Sequence, residues 1–339
     1  MSKKNTNPEL INWGLLGHEW AVNLLKQHVI FESQRHAYLF TGPESIGRRT
    51  LALRFAQALN CPSPVAPGDP CRICRTCTQI DAMLYPDLAI VQAEQSGGVI
   101  KVDQIRELIR SLSLAPYAGR YRVAILLRFE EANPNAANAL LKTLEEPPPQ
   151  VVLILTSESV DRLLPTIVSR CEVVRLRPVR ADTISKGLQS GWKMKEEEAK
   201  TLAQLCDGRP GYAVRLFQEP ALLSRRDAWL EDQQRLLSAD LVDRFTYAER
   251  LAKDKEKTRA ALLMWQSFWR DVMLAAGGAN LPPTNLDHAE EVGFLADRLG
   301  LDLARRLVQR LQDSIELLDR NVNPRLILEI LMLDLPSRQ

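Results

Sequence analysis

The sequence predicts an α/β domain built on a five-stranded parallel sheet, followed by purely α-helical domains. Five short β-rich runs alternate with helical patterns over the first 180 residues, and no strand pattern follows them. The runs are almost continuously apolar, which is typical of parallel strands covered by helices on both faces. The length of 339 residues corresponds to about two domains, or three if some are small.

Apolar residues that recur every three or four positions mark three helices between the strands. The first covers 51–59 and the second 102–112. The third contains Ala137 and Leu144 and ends before Pro147, because a residue that precedes proline avoids helical backbone angles. The predicted strands are 36–41, 87–92, 121–127, 151–156 and 172–176. Such sheets bind ligands at the carboxyl ends of their strands, which directs attention to the loop after the first strand.

Only helical patterns follow residue 180. Residues 181–217 predict a small helical unit whose internal turn runs from Gly208 to Gly211, and longer helices follow from about 224 with breaks near 277–278 and 282–283. A regular apolar face from Leu303 to Leu318 either packs into its own bundle or forms a contact between subunits, and the sequence does not separate the two. We predict domains at 1–179, 180–222 and 223–339.

The charge balance excludes a polyelectrolyte. Lys and Arg number 44 against 42 Asp and Glu, so that nucleic-acid contact requires a local patch or a partner. The amino terminus lacks the apolar core of a signal peptide, and the longest aliphatic runs, 123–127 and 151–155, are far shorter than the roughly 20 residues of a membrane-spanning helix. We therefore expect a soluble, cytoplasmic protein.

The loop after the first strand, from Gly42 to Thr50, has the outline of a phosphate-binding loop and is called the phosphate loop below. Gly42 and Gly47 match the pattern G-x4-G-K-[ST], in which backbone amides cradle phosphates, the Lys reaches them and the hydroxyl ligates Mg²⁺. Arg48 replaces the Lys, Arg49 puts a cation at the hydroxyl position, and Thr50 comes one residue late. The strand–loop–helix context favours a degenerate nucleotide site, and a plain β–α turn is the alternative.

An ATPase of this type also needs an acidic pair at the end of the third strand, which holds Mg²⁺ and polarises water. In register, these positions are occupied by Leu127 and Arg128, and the nearest carboxylates are Glu130 and Glu131. The sequence therefore predicts a nucleotide-binding fold that has lost its hydrolytic chemistry, and we expect no ATP binding by this chain. A register shift that brings Glu130 or Glu131 into the site is the alternative.

Four of the six cysteines have the spacing C-x9-C-x2-C-x2-C in a segment with turn-forming residues, which we call the cysteine module. Four thiolates directed at one centre suit Zn²⁺, and a site with all four positions filled by protein is structural. An iron–sulfur centre and unligated cysteines are the alternatives. The remaining two cysteines, Cys171 and Cys206, stand alone and are predicted core residues. The module consists of Cys61, Cys71, Cys74 and Cys77.

Four motifs in a fixed order resemble those of the bacterial DNA polymerase III clamp-loader subunits, which are AAA+ proteins. They are the phosphate loop, the cysteine module, the run AANALLKTLEEPP at 136–148 and the run LLPTIVSRC at 163–171. The resemblance covers essentially the whole chain. It implies an AAA+ ATPase-like domain with a zinc-module insertion, a small helical lid and a helical collar domain that holds subunits in a ring.

Within this family, the resemblance implies the delta prime branch rather than the ATP-hydrolysing gamma/tau motor. The degenerate phosphate loop, the missing acidic pair, a length near 340 and the run LDRNVNPRL at 318–326 favour delta prime. The lid departs from the commoner AAA+ pattern, since Gly211 stands where a nucleotide-sensing arginine is expected, with Arg209 and Arg215 nearby.

The resemblance also implies a role for the motif Ser169-Arg170-Cys171. In the family, this arginine reaches across an interface to the γ-phosphate that the neighbouring motor subunit binds. The implied partners are the gamma/tau and delta subunits in a hetero-oligomeric ring, and through that ring the sliding clamp and primed DNA. A surface arginine near a strand start is the alternative reading of Arg170.

A basic stretch in the first domain leaves a further alternative open. It is either a DNA-facing surface in a ring or a solvated helix face, and the second is favoured for this chain alone. Two other functions also remain open, an ATP-hydrolysing motor that uses Arg48 with Glu130 or Glu131 and a zinc-module protein that binds nucleic acid. The basic residues are Lys101, Arg106, Arg110, Arg120 and Arg122.

Overall fold

The computed structural model describes residues 12–95 and 98–336, and the chain divides into two units. Unit 1 comprises Met1–Ala199 and Gly208–Tyr212, and unit 2 comprises Lys200–Asp207 and Ala213–Gln339. The first eleven residues, where the sequence shows no signal peptide, lie outside the described part. Among the described residues, no helix combines the length and apolar character that a membrane span requires.

Five parallel strands form the centre of unit 1 and lie in the order β2-β3-β4-β1-β5. This sheet confirms the predicted α/β fold, and each strand end differs from its prediction by at most one residue. Strand β1 lies between β4 and β5, with Leu39 paired to both Leu155 and Val173. The strands are β1 Ala37–Thr41, β2 Leu88–Val91, β3 Arg122–Leu126, β4 Val151–Ser157 and β5 Glu172–Arg175.

Both faces of the sheet are buried, which explains the nearly continuous apolar runs. Tyr38 and Phe40 of β1 point into the core on one face, and Leu39 points into the core on the other. Helices α1, α2 and α3 cover the first face, and α4, α5 and α6 cover the second. Their bounds are α1 Glu19–Ile30, α2 Arg48–Asn60, α3 Arg75–Asp81, α4 Val102–Leu112, α5 Pro134–Glu145 and α6 Pro165–Val168.

Three shorter helices follow β5 in the region where the sequence predicts a small helical unit. They are α7 Ala181–Trp192, α8 Glu196–Leu205 and α9 Pro210–Gln218. The predicted turn between 208 and 211 lies directly before and at the start of α9. The sequence reasoning did not identify α1 or α3. The second of these begins at the cysteine module, where Cys74 caps it by accepting a hydrogen bond from the amide of Cys77.

Unit 2 carries a helical bundle whose core contains the buried side chains of Trp265, Phe268 and Trp269. The apolar face predicted between 303 and 318 packs into this core. Of the two alternatives that the sequence left open, the structure therefore favours packing within the chain's own bundle. Helix α13 has an interruption that the sequence reasoning missed, at Gly300 with φ 72° and ψ 172°. The helices are α10 Pro220–Ser238, α11 Leu241–Leu251, α12 Lys255–Ala276, α13 Ala289–Asp319 and α14 Pro324–Asp334.

Candidate functional site

The phosphate loop connects β1 to α2 at the carboxyl edge of the sheet, as the sequence predicts. Its backbone requires glycine at both ends, because φ is 146° at Gly42 and 115° at Gly47, the residue that precedes α2. A Cβ at Gly42 would also lie 2.5 Å from the carbonyl oxygen of Leu176. The two glycines of the pattern therefore keep the loop in its conformation whether or not a nucleotide is bound.

Arg48, at the position of the phosphate-binding Lys, is turned inward. Its side chain is only 8% exposed, and Nη1 lies 3.9 Å from Oε1 of Glu130, which is 9% exposed. Burial lowers the pKa of Arg48, while the carboxylates of Glu130, Glu158 and Glu44 raise it. The structure thus brings together a cation of the phosphate loop and a carboxylate that follows β3, a pair that the sequence reasoning considered only under the ATPase alternative.

The positions for Mg²⁺ ligands carry no suitable side chains. Arg49 and Thr50 are exposed, and Nη2 of Arg49 lies 2.8 Å from the sulfur of Met83. Leu127 is buried in the core, and Arg128 adopts the left-handed conformation and pairs with Glu131 at 2.9 Å. The in-register positions for the hydroxyl and the acidic pair are therefore occupied by Arg49, Leu127 and Arg128, none of which is a Mg²⁺ ligand.

Two backbone carbonyls of the phosphate loop are bound by other segments of unit 1. The amide of Gly211 donates to the carbonyl of Ser45 at 2.9 Å, and a Cβ at Gly211 would lie 2.7 Å from the same oxygen. Nε2 of His18 lies 3.1 Å from the carbonyl of Ile46, so that this nitrogen carries the proton. Burial lowers the pKa of His18. The position expected for a nucleotide-sensing arginine thus has no room for a side chain.

The sequence reasoning also noted two arginines near Gly211, which are Arg209 and Arg215. The guanidinium carbon of Arg209 lies 4.8 Å from the ring centroid of Tyr212, a cation–π geometry that uses the charge within the same segment. Arg215 follows on helix α9, in unit 2.

The cysteine module brings its four sulfurs to one point. The Sγ–Sγ distances are 3.5 Å from Cys61 to Cys71, 4.0 Å from Cys61 to Cys74 and 4.0 Å from Cys71 to Cys77. All four sulfurs lie within 4.8 Å of one another. A tetrahedral Zn²⁺ with Zn–S bonds of about 2.3 Å requires sulfur separations of about 3.8 Å. The donor set therefore fits a single tetrahedral metal ion.

Backbone amides stabilise thiolates in the module. The amides of Cys71, Cys74 and Cys77 each point at the sulfur of the preceding module cysteine, at 3.3 to 3.4 Å. Although burial raises the pKa of Cys71, hydrogen bonds from the amides of Cys74 and Ile73 and from the side chains of Cys74 and Cys61 lower it to about 7. Burial raises the pKa of Cys61 and of Cys77. Of the two cysteines outside the module, Cys206 is fully buried, as predicted. Cys171 is only partly buried against the core, and burial raises its pKa to about 12.

Arg170 lies between α6 and β5, which is an edge strand of the sheet. Its side chain is 33% exposed, and Nη2 lies 2.5 Å from Oε1 of Glu145 at the end of α5. Nη1 donates to the carbonyl of Thr166 at 2.8 Å. Nη1 also lies 3.4 Å from the hydroxyl of Ser169, so that three contacts hold the guanidinium at the protein surface. The sequence reasoning quoted Glu145 within a motif but assigned it no role, although its place beside the proline run is the signal that could have singled it out.

The basic stretch is largely neutralised by neighbouring acids. Lys101 pairs with Glu94 at 3.2 Å, and Arg120 pairs with Glu32 at 2.7 Å. Arg106 pairs with Asp103, and Arg122 pairs with Asp87. Of the five basic residues in the stretch, only the exposed Arg110 makes no ion pair with a residue that the structure describes. This arrangement favours the solvated helix face over a DNA-facing surface.

Comparisons with known proteins identify a matching family and several related chains. Residues 17–180 match the profile of a family described as DNA polymerase III, delta subunit. The chain is 44% identical over 136 residues to the delta' subunit of Pseudomonas aeruginosa, which covers 40% of this chain and 41% of the relative. It is 30% identical over 216 residues to the delta' subunit of Bacillus subtilis, covering 64% and 62%. The tau subunit of Escherichia coli is 31% identical over 175 residues, covering 52% and 27%.

These matches span less than two thirds of each of those relatives, whereas a structural likeness extends further. A gamma subunit-related protein of Thermotoga maritima superposes with a TM-score of 0.51 at 17% identity, covering 92% of this chain and 97% of that one. This likeness supports the fold alone. The sequence matches confirm the expected resemblance to DNA polymerase III subunits. Residues 17–180 of the chain are therefore similar to the DNA polymerase III delta-subunit family, and the relatives that match the chain include delta' and gamma or tau subunits.

Proposed function

We propose that this chain is a delta prime-type subunit of the DNA polymerase III clamp loader. It does not hydrolyse ATP and supplies Arg170 in trans to the nucleotide of a neighbouring motor subunit. In this role it completes a hetero-oligomeric ring with gamma/tau and delta subunits, which loads the sliding clamp onto primed DNA. The work takes place in the cytoplasm, at the replisome.

The observation that carries the proposal is the inward-facing Arg48. A motor subunit needs a free cation for the γ-phosphate and a hydroxyl ligand for Mg²⁺. Here the cation lies 3.9 Å from Glu130, and Arg49 occupies the hydroxyl position. Nucleotide binding would have to displace a buried charge contact, and the bound nucleotide would lack metal ligands. A non-hydrolysing subunit is the function that fits these residues.

Arg170 supports the second half of the proposal. It is partly exposed at the sheet edge and remains attached to the body of unit 1 through Glu145 and Thr166. A guanidinium stays charged at any physiological pH and forms paired hydrogen bonds with phosphate oxygens. Arginine fingers supplied in trans contribute about 10³- to 10⁵-fold to nucleotide hydrolysis. We assign to Ser169 and Cys171 the role of flanking residues that hold this arginine between α6 and β5.

We also propose that the cysteine module binds one structural Zn²⁺. The sulfur separations match a tetrahedral ion, and four protein ligands leave no position for a reactive water. The loop that carries the module contacts the rest of unit 1 through Trp13, whose indole N–H donates to the carbonyl of Gly68 at 3.2 Å and to Oδ1 of Asp69 at 3.1 Å. Zinc would therefore fix the loop from 61 to 77 against the sheet domain. The three-domain division at 179 and 222 belongs to the same proposal.

The test is ATP hydrolysis by a complex reconstituted from motor subunits, delta and this chain, with clamp and primed DNA present. We expect Arg170→Ala to leave assembly intact and to lower turnover by at least about 10³-fold at the sites this arginine serves. The neighbouring variant Arg162→Ala serves as a control, because Arg162 pairs with Glu158 and is not part of the motif. An Arg170→Ala complex that hydrolyses ATP at the wild-type rate would refute the trans-acting role.

The ATPase alternative has one observation in its favour, the proximity of Glu130 to Arg48. It predicts Mg²⁺-dependent ATP binding and turnover by this chain in the absence of motor subunits, which our proposal excludes. The nucleic-acid alternative predicts salt-dependent DNA binding by the chain alone. The paired acids of the basic stretch argue against it.

A further inference from the structure

Arg170 is oriented by two neighbours that lie outside the motif Ser169-Arg170-Cys171. Nη2 contacts Oε1 of Glu145 at 2.5 Å, and Nη1 donates to the carbonyl of Thr166 at 2.8 Å. Glu145 is the last residue of α5, which packs on the sheet through Leu140 and Leu144. The position of the guanidinium is thereby linked to the helix that covers one face of the sheet.

We propose that Glu145 is a positioning residue that holds Arg170 in the orientation in which it meets a γ-phosphate, an inference that rests on the proposed function. A guanidinium has five N–H donors. Nη1 donates to the carbonyl of Thr166 and to the hydroxyl of Ser169, and Nη2 donates to Glu145, so that the Nε proton and one Nη2 proton remain for phosphate oxygens. A long arginine side chain loses substantial rotamer entropy when it is fixed. The Glu145 contact fixes it before the partner's nucleotide arrives.

The contribution of Glu145 is geometric rather than electrostatic. Its side chain is 51% exposed, so that water screens the attraction between the two charges. Its negative charge also offsets part of the positive charge that Arg170 offers to a phosphate. A neutral side chain that still accepts the hydrogen bond should therefore preserve function, whereas a side chain without an acceptor should not.

The experiment uses the reconstituted complex and compares Glu145→Ala, Glu145→Gln and the control Glu146→Ala. Glu146 is the next residue, is exposed and makes no ion pair with any residue that the structure describes. We expect Glu145→Ala to lower kcat by about 10- to 100-fold with the KM for ATP unchanged, since small displacements of a positioning group have effects of this size. Glu145→Gln, whose amide oxygen still accepts from Nη2, should retain most of the rate, as should Glu146→Ala.

A double-mutant cycle with Arg170→Ala separates this inference from the function on which it rests. If Glu145 acts through Arg170, Glu145→Ala has no further effect once Arg170 is absent. Two independent, multiplying losses would overturn the positioning role, and so would a Glu145→Ala complex with wild-type kcat beside a slow Arg170→Ala complex. In both of these cases the proposed function survives. A wild-type rate for Arg170→Ala would overturn the proposed function itself.

Discussion

Loss of one thiolate from the cysteine module should release its metal ion. The observed sulfur separations of 3.5, 4.0 and 4.0 Å differ from the tetrahedral edge of about 3.8 Å by only a few tenths of an ångström, so that little rearrangement accompanies binding. Structural zinc sites of this type have apparent binding free energies of about 10 kcal/mol or more, which corresponds to a Kd below about 10⁻⁷ M. Zinc should therefore remain bound through gel filtration.

The change is Cys74→Ser, with Cys206→Ala as a matched control because Cys206 lies outside the module. Removal of a group that only hydrogen-bonds to a metal ligand lowers metal affinity by about 10- to 100-fold. Loss of a ligand itself should lower the affinity at least as much. Elemental analysis of the purified wild type and control should give about one zinc per chain, with substantially less in Cys74→Ser. Proteolysis should then cleave the variant between 61 and 71. Iron in the wild type, or equal metal content in all three proteins, would refute the zinc assignment.

Two further predictions each concern one buried charged side chain, Asp87 in unit 1 and Arg244 in unit 2. Although burial raises the pKa of Asp87, the amides of 117–119 hold it below its ordinary value of 3.8. Asp87→Asn should therefore destabilise by about 3 kcal/mol at neutral pH, and this difference in urea unfolding should shrink as the pH falls below the ordinary value, because the wild type then loses its charge. In unit 2, the guanidinium of Arg244 donates to the carbonyls of Leu236, Met332, Leu335 and Pro336 at 2.8 to 3.1 Å. Arg244→Met should lower the free energy of unfolding by about 3 kcal/mol, measured by thermal denaturation beside the exposed control Arg225→Met.

The sheet could be predicted closely because its signal is local. Each strand is a short apolar run with both faces buried, so that sequence alone marks its ends to within one residue. Helix α3 escaped prediction because it is short and polar and begins at a cysteine that also caps it. The interruption of α13 at Gly300 escaped prediction because the apolar periodicity continues on both sides.

The contacts of the candidate site were harder to predict because they join distant parts of the chain. The sequence reasoning named Glu130 or Glu131 beside Arg48 only within the ATPase alternative, and it named no partner for Arg170. Glu130 is 82 positions from Arg48 in sequence, and Glu145 precedes Arg170 by 25 positions. Such pairs depend on the order of strands in the sheet, which the alternation of elements does not specify.

Contacts within unit 1 maintain the conformation of the phosphate loop. Gly42 packs against the carbonyl of Leu176, the carbonyl of Ser45 accepts from Gly211, and Arg48 faces Glu130. Substitution of the loop glycines would therefore disturb the packing of unit 1 whether or not the chain binds ATP. The G-x4-G spacing has this structural role in the loop, whereas hydrolysis in the pattern depends on the Lys and the hydroxyl, whose positions are occupied here by Arg48 and Arg49.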